Sequence, residues 1–365
     1  MDTKIPCLDL KRQHLIIKDE IFSIFEKVYN DTAFSGGSYV ADFENKFATF
    51  IASNYAIGVS NGTVALHLAM LVLGIGVGDE VILPANTFIA TAWGVSHSGA
   101  TPIFADCDET WNIDTSKIEK LINAKTKAII GVHLYGQPFD VDAVSEICKK
   151  HSLYLIEDSS QAHGAKYKNK RIGALGDLGT FSFYPGKNLG ACGEAGGLTT
   201  NSLEYANHLQ SLRNHGSKSK YVHDEIGFNY RMGGFEGASL AVKLKYIDSW
   251  NNRRKEIASI YKNQITNNKI KMQHNPEWAD GVFHLFVITT EDRESLIRHL
   301  ESNNINPGFH YPIPCHLQNA YKYLNYKKGD FPISEYLADH CISLPMFPEL
   351  TNEEVNHVIN TINNF

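Results

Sequence analysis

Residues 80–104 of the chain read EVILPANTFIATAWGVSHSGATPIF. Within this stretch, Glu80–Pro84 predicts a strand, Phe88–Ser98 predicts a helix and Thr101–Phe104 predicts a second strand, because two short apolar runs flank a segment of helical period. A strand, a helix and a strand at this spacing are typical of a parallel βαβ unit. The stretch therefore predicts an α/β protein with a parallel sheet.

The same alternation extends on both sides of this unit. Further strands and helices are predicted at Ala56–Val59, Thr63–Leu73, Ser116–Leu121, Ala128–Val132, Val141–Lys150 and Tyr154–Asp158. The predicted fold is α/β, with a mostly parallel central sheet flanked by helices. Ligands of such sheets bind beyond the carboxyl ends of the strands, so we expect the chemistry in the loops that follow them.

The pattern changes after about residue 180. Two linked strands, a helix, a long helix and a smaller α/β set are predicted at Thr180–Tyr184, Gly197–Thr200, Leu203–Arg213, Phe235–Ile265, Val282–Thr290, Arg293–Asn303 and Asn352–Asn363. We expect a large ligand-binding domain over residues 1–250 and a smaller C-terminal α/β domain over residues 251–365. The N-terminal segment is a candidate to pack on the smaller domain.

Composition narrows the classes of function. The 365 residues carry 34 Lys and Arg against 40 Asp and Glu, and this net charge of −6 argues against nucleic acid as a partner. The six cysteines form no CxxC pair, so neither a disulfide framework nor a metal site is predicted.

No apolar run reaches about 18 residues, and residues 1–10 lack a secretory pattern, so we expect a cytoplasmic protein that binds no membrane. The basic cluster at residues 218–220 favours a solvated loop, with contact to an anionic substrate as the alternative.

Lys187 lies in a glycine-rich loop, within GTFSFYPGKNLGACGEAGG at Gly179–Gly197. Glycines let the backbone turn sharply and let a ligand approach closely. A desolvated lysine amine loses its proton readily and can form an imine. Lys187 is therefore a candidate covalent anchor, although a lone loop lysine is more often simply solvated.

Glu157 and Asp158 end a predicted buried strand, within IEDSSQAHG at Ile156–Gly164. Burying a carboxylate is unfavourable unless it meets a cation. Asp158 is a candidate to pair with a pyridinium nitrogen, as pyridoxal phosphate (PLP) requires, and a helix cap is the alternative. Asp158 precedes Lys187 by 29 residues, which leaves room for one loop and one strand between neighbouring strand ends.

A turn suited to phosphate follows the first predicted strand. The segment VSNGTVA at Val59–Ala65 turns at Gly62 and begins a helix at Thr63. Backbone N–H groups at a helix N-terminus bind phosphate, and an ordinary capped helix start is the alternative. Ser182 and Asn229 are further candidates for the same phosphate.

Phe88 also follows a predicted strand, where an aromatic side chain either packs in the core or stacks on a flat ring. The chain thus presents a phosphate turn, an aromatic residue, a carboxylate and a lysine, each after a strand of one sheet. This order resembles the fold type I PLP enzymes, whose aspartate-aminotransferase-like fold is then expected here. It resembles more closely the DegT/DnrJ/EryC1/StrS sugar aminotransferase family. The resemblance spans nearly the whole chain, through FSGG, GVGDEVILPANTFIAT, EDSSQAHGA and GFNYRM at residues 34–37, 76–91, 157–165 and 227–232.

The resemblance implies roles around the cofactor ring. Lys187 would carry PLP as a Schiff base and would act as general acid and base. Asp158 would pair with the ring nitrogen, Gln161 would contact the phenolic oxygen, and Phe88 would lie against the ring face. His163 is a candidate second polar group beside that oxygen, with a structural histidine as the alternative.

The resemblance also implies how the cofactor phosphate is held. Gly62, Thr63 and Ser182 would bind the phosphate from the same chain. Asn229 would reach the phosphate of the other subunit, because the family forms homodimers with two shared active sites.

The lysine loop FYPGKNLGA, at Phe183–Ala191, resembles one branch of the family. That branch aminates C-3 of dTDP-linked 3-keto-6-deoxyhexoses with L-glutamate, which becomes 2-oxoglutarate, in amino-sugar and surface glycan biosynthesis. Enzymes acting at C-4 more often have a loop resembling KTITTGEGG, so a nucleotide-4-keto-sugar aminotransferase is the alternative. Tyr184, His310 and Tyr311 are sugar-facing candidates, and Arg231 is a candidate for the glutamate carboxylate.

Three other classes of protein fit these residues less well. A PLP-dependent sugar dehydratase resembling this family would replace the lysine, commonly by histidine, whereas Lys187 is present. A non-catalytic PLP-binding regulator would not need the intact set of catalytic residues. A nicotinamide dehydrogenase would depend on Gly74, Gly76 and Gly78, but these glycines precede a predicted strand instead of following one.

Overall fold

The N-terminal part of the chain is helical. The structure, a computed structural model, describes residues 4–219 and 221–365, without the side chain of Lys218. The predicted role of the basic cluster at residues 218–220 therefore lies outside the described residues. Three helices precede the first strand: α1 (Leu10–Ile16), α2 (Lys18–Asn30) and α3 (Ser38–Ile51).

Strands and helices then alternate along the chain, as predicted. The elements are β1 (Tyr55–Val59), α4 (Gly62–Val72), β2 (Glu80–Pro84), α5 (Ile89–His97), β3 (Thr101–Ala105), α6 (Thr115–Ile118), β4 (Thr126–Val132), α7 (Val141–His151) and β5 (Tyr154–Asp158). Short 3-10 turns follow α6 and β4, at Glu119–Leu121 and Leu134–Gly136.

Shorter strands and two central helices come next. They are β6 (Lys166–Tyr167), β7 (Lys170–Arg171), β8 (Leu178–Ser182), β9 (Gly196–Thr200), α8 (Leu203–Leu212), β10 (Ser217–Ser219), β11 (Val222–His223), α9 (Gly234–Lys243) and α10 (Ile247–Gln264). The remaining elements are β12 (Lys271–Met272), β13 (Ala279–Asp280), β14 (Phe286–Thr289), α11 (Arg293–Ser302), α12 (Pro332–His340), β15 (Cys341–Leu344) and α13 (Asn352–Asn363), with 3-10 turns at Cys315–Leu317 and Asn319–Leu324.

Seven strands form the central sheet in the order β1-β9-β8-β5-β4-β2-β3. The pairs β2–β3, β2–β4, β4–β5 and β5–β8 are parallel, whereas β9 runs antiparallel to both β8 and β1. The prediction of a mostly parallel sheet is confirmed. The carboxyl ends of β1, β2, β4, β5 and β8 consequently lie along one edge.

Helices cover both faces of this sheet. Strand β4 is therefore apolar almost throughout, with Lys127 as its only exposed residue. Successive side chains of a strand point to opposite faces, and accordingly Ile129 and Ile130 belong to two different apolar clusters. The sheet is thus held rigid from both sides, and its edge can position side chains accurately.

A second core forms near the C-terminus. The antiparallel sheet β12-β14-β15 packs with α10, α11 and α13 around residues such as Ile257, Leu296 and Val358. Ile5 belongs to the same core, and its N–H donates to the carbonyl of Asn304 at 2.8 Å. Helix α10 runs through residue 250 without a break, and the division into residues 1–250 and 251–365 stays a prediction.

Three predicted elements are shorter or divided in the structure. The strand predicted at Thr180–Tyr184 ends at Ser182, because the chain turns there towards the lysine loop. The long helix predicted from Phe235 to Ile265 is two helices, since i→i−3 hydrogen bonds at residues 245 and 246 close a turn between them. The strand predicted at Val282–Thr290 begins only at Phe286, because residues 282 and 285 donate their N–H groups to the turn at residues 134–136.

Helix α10 has 18 residues and carries a run of charged side chains, Arg253, Arg254 and Lys255. Over residues 4–219 and 221–365, no helix is both long enough and apolar enough to cross a membrane.

Candidate active site

A cavity of about 1120 Å³ opens at the carboxyl edge of the central sheet. Loops after β1, β2, β5 and β8 line it, together with residues 308–311 and the N-terminal residues Cys7 and Leu8. The sequence-predicted residues that it gathers are Gly62, Thr63, Phe88, Asp158, Gln161, Ser182, Tyr184, Lys187, His310 and Tyr311. Among the described residues, the predicted His163, Asn229 and Arg231 do not line it.

Lys187 reaches the cavity from a tight loop after β8. The main-chain N–H of Lys187 donates to the carbonyl of Tyr184 at 2.9 Å, and this hydrogen bond closes a turn at the Pro-Gly pair. Gly190 is required in this loop, because a Cβ there would lie 2.2 Å from the carbonyl oxygen of Pro185. Burial lowers the pKa of Lys187 to about 8, although the charge of Asp158 opposes the shift. A substantial fraction of the amine is therefore unprotonated near neutral pH and can act as a nucleophile.

Asp158 ends β5 and faces the same cavity. It is 5% exposed, and it accepts a hydrogen bond from Thr91 Oγ1 at 2.8 Å and another from the N–H of Ser160 at 3.2 Å. A buried carboxylate is stable when it meets a positive charge. A protonated pyridine nitrogen would supply that charge, so the site suits PLP at this position.

The phosphate turn precedes α4. Asn61 caps this helix, with its side-chain oxygen accepting from the N–H of Val64 at 2.9 Å. The first N–H groups of a helix have no partner within it and attract anions. Gly62 lies so close to Ser182 that a Cβ at residue 62 would be 2.7 Å from the Ser182 Cβ. The glycine thus keeps open a space bounded by helix N–H groups and a serine hydroxyl, which suits a phosphate group.

We predict that Gly62→Ala weakens PLP binding by about tenfold or more. The added methyl group would displace Ser182 and narrow the phosphate space, and overpacking of this kind typically costs about 1–3 kcal/mol. Fluorescence titration of the apo protein with PLP measures the effect. Gly76→Ala is the matched control, because a Cβ at residue 76 would lie 3.4 Å from its nearest neighbour, the carbonyl oxygen of Ser98. Equal affinities of the two variants would contradict the placement of the phosphate.

Gln161 joins two walls of the cavity. Its side-chain oxygen accepts from the N–H of Tyr135 at 2.6 Å, and its amide nitrogen donates to the hydroxyl of Tyr311 at 2.8 Å. Because the oxygen is engaged by the main chain, the NH2 group is the part that faces the cavity. Phe88 lies beside Tyr311, with ring centroids 5.5 Å apart. This arrangement suits a flat ring with an acceptor oxygen on its edge.

Three histidines lie near Lys187, of which His163 is buried and His284 and His310 are half-buried. Burial and the charge of Lys187 lower the pKa of His163 to about 3 and that of His310 to about 4, and they depress the pKa of His284 as well. His163 packs against the rings of Phe181 and Phe183, near the main chain of Ser182, and its ring nitrogens have no hydrogen bond of regular geometry among the described residues. All three imidazoles are neutral in the folded protein. The predicted catalytic role of His163 stays a prediction.

We predict that the protein loses stability as the pH falls from about 6.5 towards 4. In this window an unfolded histidine, with a pKa of about 6.5, binds a proton that His163, His284 and His310 do not bind in the folded protein. The free energy of unfolding should therefore decrease by about 1.4 kcal/mol per pH unit for each of them. Urea unfolding at several pH values measures this slope. His163→Phe should reduce the slope, and an unchanged slope would rule out this explanation.

The other predicted residues lie in different surroundings. Asn229 is exposed, in a segment that pairs with Asn214. Arg231 donates to the side chain of Asn214 at 2.7 Å and to the Ser35 hydroxyl at 3.4 Å, away from the cavity of its own chain. The predicted contacts of Asn229 and Arg231 with ligands stay predictions. Tyr184 is 53% exposed and stands at the cavity mouth.

Some residues of the site escaped the sequence analysis. His284 and Leu285 line the cavity from a segment that was assigned to a strand, and no sequence pattern marks them. Thr87 and Thr91 also line it. Thr87 precedes α5 and Thr91 lies in its first turn, and no sequence pattern marks this pair either.

Comparison with known proteins gives a consistent result. The model of the DegT/DnrJ/EryC1/StrS aminotransferase family matches residues 15–363. The chain is 44% identical to the dTDP-3-amino-3,6-dideoxy-alpha-D-galactopyranose transaminase of Aneurinibacillus thermoaerophilus, over 99% of both chains. It is 40% identical to a pleiotropic regulatory protein of Geobacillus stearothermophilus, over 99% of this chain and 98% of the relative.

Solved structures agree with the sequence matches. The crystal structure of DesV from S. venezuelae, in complex with a ketimine intermediate, superposes with a TM-score of 0.97 at 39% identity. The match covers 99% of this chain and 98% of DesV.

Proposed function

We propose that this chain, which belongs to the DegT/DnrJ/EryC1/StrS aminotransferase family, transfers the amino group of L-glutamate to C-3 of a dTDP-3-keto-6-deoxyhexose. The broader assignment follows from the family. The chain is an enzyme, a PLP-dependent sugar aminotransferase of fold type I, and its relatives include enzymes named for dTDP-, UDP- and GDP-linked sugars. The choice of C-3, of the dTDP nucleotide and of glutamate is the proposal.

The observation that carries the proposal is the meeting of Lys187 and Asp158 in one cavity. PLP, when bound, supplies an electron sink for the carbon atom that loses its proton. Lys187 is the residue that anchors the cofactor covalently, because its amine lies within the cavity and its lowered pKa makes the unprotonated form accessible near neutral pH. Asp158 pairs with the ring nitrogen, and the NH2 group of Gln161 donates to the phenolic oxygen.

Lys187 also moves the proton. With PLP bound, its amine would be placed to take a proton from the α-carbon of the donor amino acid and to return it within the same cavity. With the keto-sugar, Lys187 performs the same transfer in the opposite direction. A single amine with a pKa of about 8 can both accept and return a proton near neutral pH.

Residues at the cavity mouth select the substrates. We assign sugar contacts to Tyr184, His310 and Tyr311, which all line the cavity. In a homodimer, Asn229 contacts the partner's cofactor phosphate, and Arg231 binds the glutamate carboxylate. Neither residue lines the cavity of its own chain. The lysine loop FYPGKNLGA and the 44% identical dTDP-3-amino-sugar transaminase support the C-3 assignment. A role in surface glycan synthesis and a cytoplasmic location complete the proposal.

An absorbance experiment tests this proposal. The PLP-loaded protein receives L-glutamate first and then a dTDP-3-keto-6-deoxyhexose. We expect glutamate to bleach the yellow band of lysine-bound PLP, and the keto-sugar to restore it. Restoration only by a 4-keto-sugar, or only by a UDP- or GDP-linked sugar, would reject the C-3 or the dTDP assignment and keep the chemistry. Absence of bleaching with glutamate would reject the donor, and absence of any yellow band would reject Lys187 as the anchor.

A further inference from the structure

Asp158 is held from two directions in the cavity wall. Thr91 Oγ1 donates to Asp158 Oδ2 at 2.8 Å, and the N–H of Ser160 donates to Oδ1 at 3.2 Å. Thr91 is 1% exposed, so bulk water does not replace its hydroxyl. A carboxylate oxygen accepts more than one hydrogen bond, and each oxygen of Asp158 can still accept from a cofactor N–H.

Thr87 extends this contact into a chain of hydroxyl groups. The Oγ1 atoms of Thr87 and Thr91 lie 2.8 Å apart, and both residues are buried. An ionised carboxylate can only accept hydrogen bonds, so the Thr91 hydroxyl is the donor in its hydrogen bond with Asp158. Thr87 must then be the donor in its contact with Thr91. The two hydrogen bonds therefore run from Thr87 to Thr91 and from Thr91 to Asp158, and each hydrogen bond polarises the next.

The hydroxyl of Thr91 is not used by its own helix. A threonine within a helix ordinarily donates to the carbonyl three or four residues earlier. Four residues before Thr91 is Thr87, and the carbonyl of Thr87 accepts from the Cys315 thiol at 3.3 Å. Burial raises the pKa of Cys315 to about 12, so the thiol keeps its proton and can donate. In the structure, the Thr91 hydroxyl donates to Asp158 instead of to this carbonyl.

Helix α5 links the hydroxyl groups of Thr87 and Thr91 to Phe88, the residue proposed to lie against the cofactor ring. Phe88 immediately precedes α5, one turn before Thr91, and both side chains line the cavity. One rigid helix therefore sets the position of the aromatic ring and that of the carboxylate relative to each other.

We propose that Thr91, oriented by Thr87, is a positioning residue that holds the Asp158 carboxylate against the cofactor's ring nitrogen. Without the Thr91 hydroxyl, the Asp158 side chain keeps, among the described residues, only the Ser160 N–H as a donor and can rotate away from that nitrogen. The contact matters most while the ring accepts electrons, so its loss should lower kcat more than it raises KM. This inference rests on the proposed function, and specifically on the pairing of Asp158 with the ring.

The test compares Thr91→Val with Thr91→Ser and with Thr200→Val. Valine has the shape of threonine without the hydroxyl, and serine keeps the hydroxyl. Thr200→Val is the matched control, because Thr200 is 2% exposed and donates to the Asp177 carbonyl at 3.0 Å, outside the cavity. PLP affinity is measured by fluorescence titration, and kcat and KM are measured in the glutamate half-reaction.

Each variant has a distinct expected result. A hydrogen bond to a charged group contributes more free energy than one between neutral groups. The kcat of Thr91→Val should therefore fall roughly 10- to 100-fold, and this variant should bind PLP more weakly. Its KM should change far less, Thr91→Ser should recover most of the loss, and Thr200→Val should behave as wild type. If Thr91→Val fails to fold, Thr87→Val tests the same chain with a smaller expected loss.

Reconstitution with 1-deaza-PLP separates this role from a structural one. That analogue has carbon in place of the ring nitrogen, so the wild type and Thr91→Val should become almost equally slow. A Thr91→Val variant that matches Thr200→Val, or that keeps its full defect with the analogue, would overturn the inference. Failure of the proposed function has a different signature, namely a wild-type protein without glutamate-dependent bleaching, and the inference would then fall with it.

Discussion

Lys187→Ala is expected to abolish transamination. The variant loses both the covalent anchor and the group that moves the proton, so the rate should fall by about 10⁴-fold or more. PLP should still bind through the phosphate turn, but the yellow band of the lysine-bound cofactor should be absent. Absorbance spectra of the reconstituted variant, and turnover with glutamate and a keto-sugar, measure the two losses.

Lys243→Met is the matched control for this variant. Lys243 is a second buried lysine, 1% exposed, and its Nζ donates to the Gly190 carbonyl at 2.7 Å behind the lysine loop. Burial lowers its pKa as well, yet it does not line the cavity. The control should keep the yellow band and the half-reaction with glutamate. Transamination by Lys187→Ala would refute the assignment, and a wild type with the yellow band but no turnover would favour a PLP-binding regulator.

Asp158→Asn is expected to lower kcat by roughly 10²–10³-fold while leaving the fold intact. Asparagine has the same shape but no charge, so the ring nitrogen loses the partner that keeps it protonated. Removing one member of a buried charged pair typically costs about 3–5 kcal/mol, which corresponds to a loss of this size. Single-turnover rates with glutamate measure the effect directly, because product release does not contribute to them.

Asp106→Asn controls for the loss of a buried carboxylate. Asp106 is 3% exposed and accepts from the N–H groups of Ile333 and Ser334 at 3.1 and 2.9 Å, where it caps α12 outside the cavity. This variant should lower the melting temperature without a matching loss of kcat. Similar kinetics for the two variants would argue that Asp158 serves only the stability of the sheet.

The local features of the site could be predicted from the sequence. Alternating apolar runs determine a mostly parallel sheet, and in such a sheet the loops after the strands meet at one edge. Asp158 ends a strand, and Gly62, Phe88 and Lys187 each follow one, and the structure brings all four to one cavity. Their chemistry is a property of the residue types, so the expectation of a PLP site did not need coordinates.

Long-range contacts could not be predicted in this way. The hydrogen bond from Thr91 to Asp158 joins residues 67 apart in the sequence, and the bond from Gln161 to Tyr311 joins residues 150 apart. Likewise, the short strand at Phe286–Thr289 depends on distant contacts, because residues 282 and 285 donate their N–H groups to the turn at residues 134–136.

The sequence by itself thus determined the order in which the main strands follow one another along the chain, the residues at the ends of those strands and the family that this order resembles. Only the tertiary structure decided which side chains share a hydrogen bond, why the pKa of Lys187 is lowered to about 8, and that His163 packs against the rings of Phe181 and Phe183. The physical reason is that strand patterns are local along the chain. Burial and hydrogen bonding depend instead on neighbours that folding brings together from distant parts of the sequence.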